Sequence, residues 1–202
     1  MVVFENEEVY IICKPPGMSA QEDLTDGDAV PARFPGTHCI TRLDKRVSGL
    51  MILAKEASAA RKWSRYLQEG AIRKVYHCIV AHRPEADSGE LVHWIRKEAK
   101  ARVFNREEKG SKPAVLHYRV LCSSERYHLL EIQIATGRFH QIRAQLAAIG
   151  SPIVGDLRYG YKRSSPDGSI FLCCTQVSVQ DISVEIPLPG EWGRYGVLQK
   201  LS

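Results

Sequence analysis

Residues 38–55 read HCITRLDKRVSGLMILAK. One carboxylate, Asp44, has Arg42 on one side and Lys45 and Arg46 on the other. The small pair Ser48-Gly49 follows, and then the apolar run Leu50-Met51-Ile52-Leu53-Ala54. Such a run is the pattern of a buried strand, expected over 47–54, so Asp44 belongs on a loop anchored to the core. An ionised carboxylate held that way is either one half of a structural ion pair or a nucleophile or base, and the stretch by itself leaves both open.

Outward from this stretch, strand patterns dominate. EVYIIC (8–13) stops at the turn KPPG (14–17), and the polar, Gly-, Pro- and Asp-rich residues 18–37 read as a loop. Residues 56–70 predict a helix, with Ala60, Trp63 and Leu67 on one face and Gly70 as its stop. Further strands are expected at 73–81, at 117–124 and 127–135 as a hairpin turning at SSER, and at 171–180 and 183–188. Residues 137–150 predict a second helix, in which Phe139, Ile142, Leu146 and Ile149 fall in a stripe roughly 80° wide. Arg143 lies at the edge of that stripe, half-buried, with His140 as its i+3 neighbour. Residues 151–161 are turn-rich, and 83–116 are polar and basic, either a solvated face or an RNA-contacting excursion. With no internal repeat and no long linker, the expectation is one mixed α+β domain over 1–202, on a mostly antiparallel sheet flanked by helices and loops.

At 202 residues, with 44% hydrophobic and 25% charged side chains, the chain can bury a real core and is not a disordered segment. A net charge of +5 and a pI near 8.9 favour a polyanionic partner without proving one. The opening MVVFENEEVY is acidic and short of apolar residues, unlike a signal peptide, and no run reaches the ~18 apolar residues of a membrane span. A cytoplasmic location follows as the expectation, and with it six free thiols at Cys13, Cys39, Cys78, Cys122, Cys173 and Cys174. No C-x-x-C occurs and no histidine lies near Cys173-Cys174, so no zinc site is expected. The P-loop, the dinucleotide-binding G-x-G-x-x-G, H-E-x-x-H, G-x-S-x-G and the zinc-deaminase pattern are all missing.

The remaining motifs resemble one family. TRLDKRVSGLMILAK is similar to the H-R-L-D-x-x-x-S-G-L signature of the RluA-type pseudouridine synthases, and TGRFHQIRAQLAAIGSPIVGDLRYG (136–160) to their second long signature. RKVYHCIV resembles the segment bearing the family's active-site tyrosine, and YIICKPPGM its opening strand and K-P-x-G turn. The matches keep the family's order over about residues 8 to 190. The resemblance implies that Asp44 is the catalytic nucleophile or base, that Arg143 pairs with it, and that Tyr76 contacts the target base. It also implies that Arg42 fills the space left by a flipped-out uridine, and that Arg138, His140 and Gln141 join the substrate-binding set. The implied reaction turns uridine into pseudouridine in an rRNA or tRNA stem-loop, without cofactor or metal. The implied protein is a monomer that touches no membrane and carries no separate N-terminal RNA-binding domain.

The chain departs from the family pattern at Thr41, at Ala144-Gln145, in FLCCTQ (171–176) and in a shortened stretch from Gly17 to Thr41. These positions bear on which RNA is served. Two other readings stand beside this one. One is an RNA-binding protein of the same fold without turnover. The other is a carboxylate-dependent hydrolase, which needs a second acid that residues 38–55 do not supply.

Overall fold

A computed structural model gives the fold and describes residues 1–21 and 28–197. The strands in chain order are β1 (Val2–Glu5), β2 (Val9–Lys14), β3 (His38–Cys39), β4 (Ser48–Ala54), β5 (Arg73–Val80), β6 (Ser88–Lys97), β7 (Ala101–Phe104), β8 (Lys112–Ser123), β9 (His128–Ile134), β10 (Leu172–Val179) and β11 (Ile182–Glu185). The α-helices are α1 (Val30–Arg33), α2 (Ala57–Gln68) and α3 (Gln141–Ala148). The chain forms two compact units: Met1–Lys74 with Cys173–Pro187, and Val75–Leu172 with the stretch from Leu188 onward.

In the first unit β4 is the central strand. It pairs antiparallel with β2, from Val9↔Ala54 to Lys14↔Gly49, antiparallel with β3, and parallel with β10 at Cys173↔Ser48 and Cys174↔Gly49. Leu50 to Ala54 are at most 1% exposed, which is why the strand reads as an unbroken apolar run. Each large side chain buried there contributes roughly 1.5–3 kcal/mol. Helix α2 buries Ala59 and Trp63, while the indole N–H of Trp63 and the ammonium of Lys62 both donate to Glu8. These bonds, led by that of Lys62, hold the Glu8 carboxyl below the usual carboxylate range. Gly70, at φ 72°, stops the helix as its sequence predicts. One turn of helix, α1, lies inside the stretch read as a loop; residues 22–27 of that stretch are outside the described residues.

The second unit is antiparallel throughout, in the order β5-β9-β8-β6-β7. Here the sequence reading needs two corrections. Residues 83–116 hold β6, β7 and the start of β8, whose alternation of buried His93 and Ile95 with Trp94 and Arg96 is hidden among charges. The second helix is shorter than its periodicity suggested, because residues 137–140 form a turn and His140 sits at φ 51°. Phe139 and Ile149 are therefore off the helix, and Gln141 to Leu146 are all buried rather than amphipathic. Arg143 is correspondingly 5% exposed, buried instead of half-buried. No helix among the described residues is long and apolar enough to cross a membrane.

Candidate active site

In the first unit Asp44 is half-buried on the loop that leads into β4, between exposed Arg42 and exposed Lys45. The Asp44 carbonyl accepts from the Val47 N–H at 3.0 Å, closing a turn. The Lys45 carbonyl accepts from the Gly17 N–H at 2.8 Å and from the ammonium of Lys14 at 3.3 Å. Lys14 is fully buried, and its other two bonds go to the carbonyls of Pro15, at 2.9 Å, and Met18, at 3.0 Å. Three donors thus meet three carbonyls, and the K-P-P-G turn is locked to the Asp44 loop. Burial pushes the Lys14 ammonium down to about 8, against an opposing pull from the negative charge of Asp44.

The far end of the loop is fixed by Gly49. At φ +116° a Cβ would lie 2.3 Å from the Cys174 carbonyl oxygen and 2.4 Å from its nitrogen, so the S-G of the first signature is there to let β10 approach β4. Thr41, where the family carries histidine, is buried and accepts from the Ile52 N–H at 2.9 Å, extending the bonding of β4.

In the second unit Tyr76 lies on β5 opposite Ile132 and is 5% exposed. The turn before α3 is held by Gln141. Its Oε1 accepts from the Thr136 hydroxyl at 2.8 Å and the Arg138 N–H at 2.9 Å, and its Nε2 donates to the Val115 carbonyl at 3.0 Å. Arg138 itself donates through Nε to the Pro113 carbonyl at 2.8 Å. The His140 ring stacks on Phe139, with centroids 3.8 Å apart, and its Nδ1 is 2.9 Å from the Tyr159 hydroxyl. That hydroxyl also accepts from the Ala101 N–H at 2.8 Å, joining the turn before α3 to β7.

Arg143 presents a planar fork to Asp156, with Nε to Oδ2 at 2.7 Å and an Nη to Oδ1 at 2.9 Å. Both groups are buried, Asp156 completely, and the guanidinium carbon stands 5.0 Å from the Tyr159 ring centroid. Asp156 is placed by Gly155, whose added Cβ would lie 2.6 Å from the Ser169 carbonyl oxygen. Gln145, where the family carries histidine, is fully buried. Its Nε2 lies within 3.1 Å of the carbonyls of Leu91 and Ala114 and of the His93 ring, tying α3 to β6 and β8.

The structure therefore brings Arg138, His140, Gln141 and Arg143 together around one turn, places Arg42 and Asp44 on one loop, and sets Tyr76 on a strand of the second unit. Three residues with no role assigned from sequence belong to these clusters: Lys14, Asp156 and Tyr159. Their signal was present. Lys14 opens K-P-P-G, and Asp156 and Tyr159 are the fixed letters of G-D-L-R-Y-G.

By fold, the chain is of the pseudouridine-synthase class. The solved structure of human RNA pseudouridylate synthase domain containing 4 superposes with a TM-score of 0.80 at 22% identity, over 99% of this chain and 92% of that one. The family model described as RNA pseudouridylate synthase matches residues 8–148, from just before β2 to the end of α3, and the chain belongs to this family, in its RluA-type branch. An uncharacterized RNA pseudouridine synthase of Aquifex aeolicus is 32% identical over 95% of this chain and 66% of its own length. The ribosomal large subunit pseudouridine synthase D of Nitrosomonas europaea is 32% identical over 83% of this chain and 51% of its own. The chain thus spans about half to two thirds of the length of these curated relatives.

Proposed function

We propose that the chain isomerises uridine to pseudouridine in RNA, with Asp44 as the nucleophile or base. The observation that carries this reading is the mounting of Asp44. Within the segment matched by the family, its loop is clamped by Lys14 at one end and by Gly49 against β10 at the other. A carboxylate that must meet a sugar or base carbon needs such a fixed mount. In the reaction the N1–C1′ bond breaks and the freed uracil turns in place. C5 then bonds to C1′, C5 loses its proton and N1 gains one, so substrate and product are isomers. Flipping the uridine out of its stack costs a few kcal/mol, which Tyr76 against the base and Arg42 in the vacated space offset. The two-point bond to Asp156 orders the Arg143 guanidinium, and Gln141 fixes the turn bearing Arg138 and His140. Ribosomal RNA is the proposed substrate class, since the Nitrosomonas relative carries that name.

The test is to incubate purified protein with bulk ribosomal RNA from a strain lacking the gene and to quantify pseudouridine by mass spectrometry. Wild type should produce it, and Asp44→Ala and Asp44→Asn should give none above the no-enzyme background while keeping the wild-type melting curve. Product formed by Asp44→Ala would overturn the assignment.

A further inference from the structure

The face of β6, β7 and β8 turned away from α3 carries a row of rings. Pairing sets Phe104, Trp94 and Pro113 side by side across the three strands. Arg96 and Arg102 make the neighbouring row, with their guanidinium carbons 5.0 and 5.2 Å from the Phe104 ring centroid. Val92, in the row on the other side, is 47% exposed. The core does not need this face, because the opposite one supplies Ile95, Ala101 and Ala114 to the cluster packed on Ala144 of α3.

The arginines are arranged for a ligand with flat faces and negative charge. Arg96 is tethered through Nε to Glu98 at 2.7 Å and through an Nη to the Lys109 carbonyl at 3.2 Å, so its plane is ordered in advance. Arg102 is exposed and has no ion pair among the described residues. Residues 96–112 carry seven basic side chains against three acidic ones. A single exposed ring needs no explanation, but two aromatic rings in register beside an ordered guanidinium plane on an antiparallel sheet make a surface suited to stacking bases.

We propose that this face is a second RNA-binding surface, on which unpaired bases outside the target nucleotide stack against Trp94, Phe104 and Arg102. The proposal takes from the proposed function only that the polyanion is RNA. The positive surround and the preset plane of Arg96 fit nucleotides better than the face of a protein partner.

The tryptophans allow a direct test. Trp63 and Trp192 are each 2% exposed, so Trp94 is the indole that a ligand on the surface can reach. Single-stranded oligouridylate of about twelve nucleotides, a length within the usual site sizes, is titrated while tryptophan emission and the anisotropy of a fluorescein label are followed. The expected result is quenching that Trp94→Phe abolishes, with binding weakened about tenfold by Phe104→Ala and severalfold by Arg102→Gln, all three melting like wild type. Undiminished anisotropy binding by Phe104→Ala and Arg102→Gln, with Trp94 emission unquenched in wild type, would overturn the proposal and leave the face to a protein partner. Asp44→Ala should bind the oligonucleotide like wild type, so the two readings separate. Pseudouridine formed without quenching removes only this surface, and quenching without pseudouridine removes only the catalytic assignment.

Discussion

At the residue scale, two glycines of the signatures differ in what they tolerate. Gly17 and Gly49 both have positive φ, but a Cβ on Gly17 meets nothing within 4 Å, whereas one on Gly49 strikes the backbone of Cys174. Gly17→Ala should therefore cost only the strain of a left-handed alanine, about 1 kcal/mol in urea unfolding. Gly49→Ala must push β10 off β4 and should cost more than about 4 kcal/mol or yield insoluble protein. Equal effects would mean that the close approach is unimportant. Lys14 gives a pH signature. Its folded pKa is lowered to about 8 by burial, so the folded state disfavours the ammonium, and that cost is fully present below about pH 8. As pH rises from about 8 toward the unfolded value near 10.5, the unfolded chain holds the extra proton and stability rises. Relative to Lys14→Met, wild type should gain up to about 3 kcal/mol between about pH 7 and pH 10.5, read from paired urea titrations. A flat difference would show that the ammonium is not desolvated.

At the element scale, the α3 entry is organised by a buried ion pair rather than by helix amphipathicity. Removing one partner of such a pair leaves an uncompensated charge, so Asp156→Ala should destabilise the protein by about 3–5 kcal/mol. Arg143→Lys keeps the charge but loses the two-point fork, and pseudouridine formation should fall well below wild type with a smaller stability loss. Once Asp44 is replaced, Arg143→Lys should lower the rate no further, as expected of groups that act together. Wild-type activity in Arg143→Lys or in a folded Asp156→Asn variant would break the link between this pair and the chemistry.

For the whole molecule the governing quantity is charge. A net +5, with basic clusters at 42–46 and 96–112, makes phosphate contact the expected main term in RNA affinity. The logarithm of the binding constant should fall linearly with the logarithm of salt concentration, and Arg42→Gln should reduce that slope by about one if Arg42 meets a phosphate. A slope near zero for wild type would remove phosphate contact as the main term.

What the sequence determined by itself was the local order. A continuous apolar run gave β4, because a strand buried on both faces must be apolar at nearly every position, and shorter apolar stretches marked β2 and β5. The two signatures located Asp44 and Arg143 through residues whose spacing a turn or a close approach dictates, as Gly49 illustrates. The β6–β7 hairpin was illegible, since its outward face mixes Trp94 and Phe104 with Arg96 and Arg102, and its buried residues, His93, Ile95 and Ala101, alternate with them without a clear apolar period. The start of α3 was misread for a related reason. A side chain, Gln141, bonds the backbone of the preceding turn, and a left-handed His140 overrides a periodicity that would have carried the helix back to 137. The partners of Lys14 and Arg143 were decided by the tertiary structure alone. Lys14 reaches a carbonyl 31 residues away and Arg143 a carboxylate 13 residues away, and only chain folding determines which groups lose water together and must satisfy one another.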